Sequence, residues 1–365
     1  MDKAIVVRPR FEPGRRIIAV SDIHGNLPFF QALMEQVCLT SDDILILVGD
    51  MLEKGKDSLA LLRRLMELSK THTLYPLCGN CDGLVLDFFD TDELDQRFFA
   101  YYLPRHPEST LRQMAREGGF DQTDDLPKLR RDLRAGFPNE WAWLKAMPTI
   151  LETEHLVFVH GGVPSLEGME ELDRWTCLKN DNFLGQGRRF EKWVVVGHWP
   201  VTLYDPSIPS AAPIFTRDRK IISIDGGCVL KLDGQLNALT LPAEDSEDFA
   251  WTSWDGLPTA IAMDRQRPNA FPLNIRWGRS ELELLSEGDE LSLCRHLETG
   301  KSIYILTEFL RRGGGKLWCE DSTDYRLPVE PGDCLSVVRK IHSGALCKKD
   351  GATGWYFGRL SPITA

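Results

Sequence analysis

RIIAVSDIHGN, residues 16–26, is the stretch whose reading decides the fold. Its first part, RIIAV (16–20), is apolar and largely β-branched, the composition of a short strand buried on both faces, and it stops at Asp22, His24 and Gly25. DDILILVGD (42–50) repeats that arrangement and ends at Gly49-Asp50. Between the two, PFFQALMEQVC (28–38) spaces its apolar residues as a helix does. SLALLRRLMEL (58–68) does the same before the strand-like THTLYPLCGN (71–80). The order is β-α-β-α-β, an α/β arrangement that collects polar residues at the carboxyl ends of strands. Ligands of open α/β sheets bind at that edge.

Residues from about 84 to 147 read as a charged helical insert whose aromatics, in DFFD, RFFAYY and WAWL, pack on the sheet. Three more strands follow: HLVFVHGG (155–162), KWVVVGHWP (192–200) and KIISIDGG (220–227), ending in His160, His198 and Asp225. After residue 245 the texture changes. The stretch 246–272 is rich in Pro, Asp and Ser and reads as a surface linker. Residues 273–365 carry only strand and turn signals. Within them SEGDELSLCR (286–295) and VEPGDCLSVVR (329–339) look alike, with Gly288-Asp289 and Gly332-Asp333 standing 44 residues apart. A duplicated small β unit is the expectation, and the ending DGATGWYFGRL (350–360) resembles the last strands of bacterial SH3-like modules.

The bulk composition bounds the function. At 365 residues the chain exceeds the ~250–300 residues at which single cores stop growing, so two domains are expected. A net charge of −11 argues against a broad nucleic-acid footprint, which needs clustered Lys and Arg. No apolar run approaches the roughly 20 residues of a membrane span, and MDKAIVVRPRFEPGRR does not read as a signal peptide, so a cytoplasmic address is expected. Nine cysteines in such a chain point to free thiols rather than a disulfide framework. Cys78-Gly-Asn-Cys81 is a CxxC with no second CxxC to complete a zinc site.

The polar strand ends, taken together, are Asp22-Ile-His24-Gly-Asn, Gly49-Asp50 with Gly55 beyond it, Gly79-Asn80-Cys81-Asp82, His160-Gly-Gly and Gly197-His198. Carboxylates, imidazoles and an amide on one edge are hard-to-borderline donors that suit manganese, iron or zinc. Two such ions about 3.5–4 Å apart clamp a phosphoryl group and lower the pKa of a bridging water. The order D-x-H, GD-x4-G, GN-x-D, HGG and GH resembles the calcineurin-like metallophosphoesterases over about residues 16–241, in the branch of the Ser/Thr phosphoprotein phosphatases and bacterial diadenosine-tetraphosphate hydrolases.

That resemblance implies a β-sandwich flanked by helices over residues 1–245 and two divalent ions, manganese first and iron, zinc or nickel as alternatives. It also implies that Asp22, His24 and Asp50 hold one ion and that Asp50 bridges to a second held by Asn80, His160 and His198. It places Cys81 and Glu53 where the phosphatases have a proton-donating His and its Asp partner, and Lys54 where they have a phosphate-clamping Arg. A thiol and a point charge are weaker tools than an imidazole and a guanidinium fork. Arg174, Lys179 and Asn180 lie where relatives place a further phosphate-binding residue. The implied activity is hydrolysis of phosphomonoesters, with phosphoserine or phosphothreonine on protein as one substrate class. GNCD, which also occurs in small bacterial calcineurin-like phosphodiesterases, keeps a phosphodiesterase or dinucleoside-polyphosphate hydrolase open. A regulatory or peptide-binding protein with a vestigial metal site, its partner held by the β domain, is the reading of another class. Redox control through Cys78 and Cys81 is a further one.

Overall fold

In the computed structural model, which describes residues 2–91, 96–121 and 125–364, the apolar runs become strands that are buried on both faces. The chain begins with β1 (Val6–Val7), β2 (Ile17–Val20), α1 (Leu27–Gln36), β3 (Ile44–Val48), α2 (Ser58–Leu68) and β4 (Thr73–Leu77). Side chains alternate along a strand. Ile17, Ala19, Ile44, Ile46 and Val48 therefore enter one core, while Ile18, Val20, Leu45 and Leu47 enter another with α1 and α2. This two-faced burial is why the runs are continuously apolar rather than alternating.

The helical insert comprises α3 (Asn80–Asp90), α4 (Gln96–Arg105), α5 (Thr110–Gly118), α6 (Leu126–Gly136) and α7 (Pro138–Lys145). Its buried Phe88, Phe89, Phe99 and Leu133 join the helix-side core. The sheet then resumes with β5 (Ile150–Glu152) and β6 (Leu156–Val159), followed by the short α8 (Arg174–Leu178). The remaining strands are β7 (Trp193–Val196), β8 (Ile214–Thr216), β9 (Ile221–Ser223), β10 (Leu236–Leu241) and β11 (Ala250–Trp254).

These strands form two sheets, one in the order β1-β5-β6-β7-β9-β8 and one in the order β11-β10-β2-β3-β4. Residues of both sheets share a core: Ile17, Ile44 and Leu239 from one, Leu151, Phe158, Val195 and Ile222 from the other. A β-sandwich flanked by helices results. Phe158 is fully buried between the sheets. Phe158→Ala is expected to cost about 3–5 kcal/mol, read as a lowered urea midpoint.

Two compact units are present. The first comprises Met1–Trp199, Pro213–Leu230 and Leu236–Trp254, and the second comprises Pro200–Ala212, Lys231–Gln235 and Asp255–Ala365. The stretch 246–272, read as a linker from its Pro, Asp and Ser, carries strands instead. Ala250–Trp254 pairs antiparallel with β10, and Thr259–Ile261 pairs with Cys334–Ile341. The aromatic residues of AWTSW supply the β-forming side chains that the surrounding turn residues masked.

The second unit contains a four-stranded, a five-stranded and a two-stranded sheet. One apolar core gathers Leu327, Leu335, Val337, Cys347 and Tyr356, and another gathers Leu282, Cys294, Ile303, Ile305 and Cys319. The two look-alike stretches each run from a turn into a strand, Leu291–His296 in the five-stranded sheet and Cys334–Ile341 in the four-stranded one. No helix among the described residues is long and apolar enough to cross a membrane.

Candidate metal centre

Every polar cluster of the sequence lies where one of these strands ends. Asp22 and His24 follow β2, Asp50 follows β3, Asn80 and Cys81 open α3 after β4, His160 follows β6 and His198 follows β7. The backbone there is strained. Asp22, His24, Asp50 and His198 have φ of 55°, 50°, 50° and 66°, the left-handed region that side chains other than glycine rarely adopt. Such strain persists where the surroundings dictate the geometry. Helix capping does not account for these acids, because α1 is capped by Asn26, whose side chain accepts from the Phe29 amide at 3.3 Å.

Asp50 is the centre of the cluster. Its Oδ1 lies 3.3 Å from His160 Nε2 and accepts from the Cys81 amide at 2.8 Å, at the N-terminus of α3. Its Oδ2 lies 3.9 Å from His24 Nε2, which is 3.8 Å from Asp22 Oδ1. Asn80 Oδ1 is 3.3 Å from His160 Nε2. Asp22 Oδ2 accepts from the His198 amide at 3.0 Å. Two sets of donor atoms each lie within 4.8 Å of one another: His24, Asp50 and Cys81 in one set, Asp50, His160 and His198 in the other. Asp50 belongs to both.

Each imidazole is aimed by a partner. His160 Nδ1 faces the Val48 carbonyl at 2.9 Å and His24 Nδ1 faces the Leu52 carbonyl at 3.4 Å. A carbonyl only accepts, so both Nδ1 atoms carry hydrogen and both Nε2 atoms are directed at the carboxylates. His198 Nε2 meets Asp181 Oδ1 at 2.8 Å.

The charges are crowded and dry. Burial, with Asp225 and Asp50 nearby, pushes the Asp22 carboxyl well above its ordinary range. Burial opposes charge on His160, but Asp50 and Asp22 outweigh it and hold the imidazole up to about 10. Burial and the neighbouring His160 bring His198 down to about 4. Asp82 is raised to about 7 by burial and by Asp50, although it accepts from Gly79 N at 2.9 Å and Leu52 N at 3.0 Å. That bonding ties the GNCD loop to the loop after Asp50. Several buried acids around a shared carboxylate, balanced by imidazoles, make a donor set that fits divalent cations.

The other predicted residues divide. Cys81 lies in the donor group of His24 and Asp50, although no thiol was expected among the ligands, and burial and Asp50 push it well above the usual thiol range. Lys54 is exposed, four residues beyond Asp50 in the chain. The two oxygens of Glu53 are held by the helical insert, accepting from Tyr102 OH and from the Thr110 amide. Arg174 donates to Cys78 Sγ at 3.0 Å, behind the GNCD loop. Burial, against the pull of Arg174, holds the Cys78 thiol up to about 12. All nine cysteines are free. Lys179 Nζ is 3.2 Å from Asp181 Oδ1, and Asn180 Oδ1 accepts from Gln186 at 2.6 Å.

Sequence reasoning passed over Asp181, which sits one residue beyond the predicted pair and orients His198. It named Asp225 at the DGG strand end and Asp82 as the last letter of GNCD, but gave neither a role.

Residues 15–221 match the family model described as calcineurin-like phosphoesterase. Over 80 residues the chain is 34% identical to Serine/threonine-protein phosphatase 2 of Salmonella typhimurium, a match that covers 22% of this chain and 35% of that relative. The shared stretch thus spans about a third of that relative's length. A putative diadenosine tetraphosphatase is 20% identical with a TM-score of 0.45, over 69% of this chain and 100% of the other. A protein serine/threonine phosphatase from Saccharomyces cerevisiae is 9% identical with a TM-score of 0.43, over 70% and 85% of the two chains. The chain belongs to the calcineurin-like phosphoesterase family.

Proposed function

We propose that the donors gathered around Asp50 hold two divalent cations, with Cys81 left protonated, and that the chain hydrolyses phosphomonoesters, with phosphoserine or phosphothreonine on protein as the substrate class. Asp50 carries this reading, since one buried carboxylate is common to both sets of donors. Asp22 and His24 would complete one site, and Asn80, His160 and His198 the other. Manganese suits such oxygen-and-imidazole ligands, with iron, zinc and nickel as competitors in the test. When bound, the cations supply Lewis-acid charge for the phosphoryl oxygens and for the attacking water.

The chain's own groups do the rest. The Val48 and Leu52 carbonyls hold His160 and His24 in the tautomer that presents Nε2. Asp181 fixes His198. Lys54 offers a point charge to the substrate phosphate, and Cys81 holds a proton at Sγ beside Asp50 for the leaving oxygen. The similarity to the Salmonella protein phosphatase supports the monoester over the diester.

Hydrolysis of para-nitrophenyl phosphate and bis(para-nitrophenyl) phosphate by the full chain tests this. A chelator is expected to abolish turnover, manganese to restore it, and the monoester to be the better substrate. Turnover of the diester alone would move the reading to a phosphodiester or dinucleoside-polyphosphate hydrolase. Inactivity on both esters with manganese, iron, zinc and nickel would sink both readings.

A further inference from the structure

The edge that carries the metal centre contains a buried carboxylate that neither donor set uses. Glu53, three residues beyond Asp50, is 1% exposed. Its Oε1 accepts from the Thr110 amide at 2.8 Å and its Oε2 from the Tyr102 hydroxyl, while its own amide donates to Ser58 Oγ at 3.1 Å. Tyr102 belongs to α4 and Thr110 opens α5, so both donors to the carboxylate come from the helical insert. The Tyr102 ring is itself held, stacked 4.2 Å from His106 and 5.5 Å from Phe98 between centroids.

Glu53 and Lys54 have φ of 68° and 69°, two consecutive left-handed residues of which neither is glycine. A turn of that kind needs something to hold it. Lys54 is exposed, and among the described residues no hydrogen bond or ion pair engages its ammonium. The result is a strained two-residue turn, fastened to the insert at Glu53 and carrying the exposed Lys54 four residues beyond Asp50.

We propose that the hydrogen bonds from Tyr102 and Thr110 to Glu53 are a tether through which the insert sets the position of Lys54 against the substrate phosphate. Glu53 and Tyr102 are then positioning residues that govern how tightly phosphate is held and leave the chemical step alone. The proposal rests on the reading that Lys54 meets the phosphate of a phosphomonoester.

The test is a double-mutant cycle on the metal-loaded full chain: wild type, Lys54→Ala, Tyr102→Phe and the double variant, reading kcat, KM and the inhibition constant of inorganic phosphate. Tyr102→Phe keeps the ring and removes only the hydroxyl. Each single change is expected to raise KM and the inhibition constant about tenfold, with kcat within about twofold. The double variant is expected to be no worse than Lys54→Ala by more than about twofold, because both changes act on one interaction. Glu53→Gln, which still offers an oxygen and a polar partner, is expected to keep most of the wild-type affinity.

A Tyr102→Phe effect that recurs in full in the Lys54→Ala background overturns the tether. So does a Tyr102→Phe variant indistinguishable from wild type. Should no ester be hydrolysed by any of the four proteins, the reading of the activity has failed, and calorimetry of inorganic phosphate binding to the same four then decides the tether by the same cycle. Absence of phosphate binding to the wild type overturns both.

Discussion

Asp50→Asn is expected to lower ester turnover about a thousandfold, the equivalent of about 4 kcal/mol of transition-state stabilisation, and to strip metal from the chain. Asp50 is the one residue shared by the two donor sets, with Oδ1 3.3 Å from His160 Nε2 and Oδ2 3.9 Å from His24 Nε2. An amide keeps the shape and loses the charge. The fold should survive: asparagine tolerates the left-handed φ of 50° at this position, and its oxygen still accepts from the Cys81 amide. Elemental analysis beside kcat/KM checks the expectation, with a urea midpoint to show that the variant is folded. Wild-type metal content and turnover in the variant would refute the sharing of Asp50 between two cations.

Gly79→Ala is expected to damage activity as well and to be far worse for stability. A Cβ on residue 79 would lie 2.1 Å from both the backbone nitrogen and Oδ1 of Asp50. The atoms in the way are backbone and a carboxylate already committed to Cys81, so neither can yield cheaply. Overpacking of this kind costs about 3 kcal/mol or more. The urea midpoint of the variant should fall accordingly, and turnover should fall at least a hundredfold because Asp50 and Asn80 are displaced together. A stable, active Gly79→Ala protein would mean that the GNCD loop does not press on Asp50 as described.

Local chemistry made much of this molecule legible in its sequence. Continuous apolar runs such as ILILV announce strands buried on both faces, and the helical spacing of SLALLRRLMEL places α2 at its observed ends. The polar residues at strand ends are the ones the structure gathers around Asp50, since neighbouring strands of one sheet end side by side. What stayed hidden is non-local. Nothing near Glu53 in sequence says that a tyrosine in α4 will claim its carboxylate, and nothing near His198 singles out Asp181 over Lys179 and Asn180. Arg174 read as a phosphate ligand from its position between two histidines, yet it points its guanidinium at the Cys78 thiol. The stretch 246–272 misled for a different reason, since its turn-forming residues outnumber the few aromatics that pair as strands.

The sheet order also has a consequence for how the chain must be made. Strand Ile17–Val20 is flanked by Ile44–Val48 on one side and by Leu236–Leu241 on the other, with Ile17 opposite Leu241. During synthesis its second flank therefore stays open until nearly two thirds of the chain has left the ribosome, and a fully apolar strand edge is a template for pairing with other chains. The chain also passes back and forth between the two units before settling in the second at Asp255. A product terminated before residue 236 is thus an aggregation hazard rather than a smaller working protein, and nascent chains of this protein should depend on chaperones over that interval.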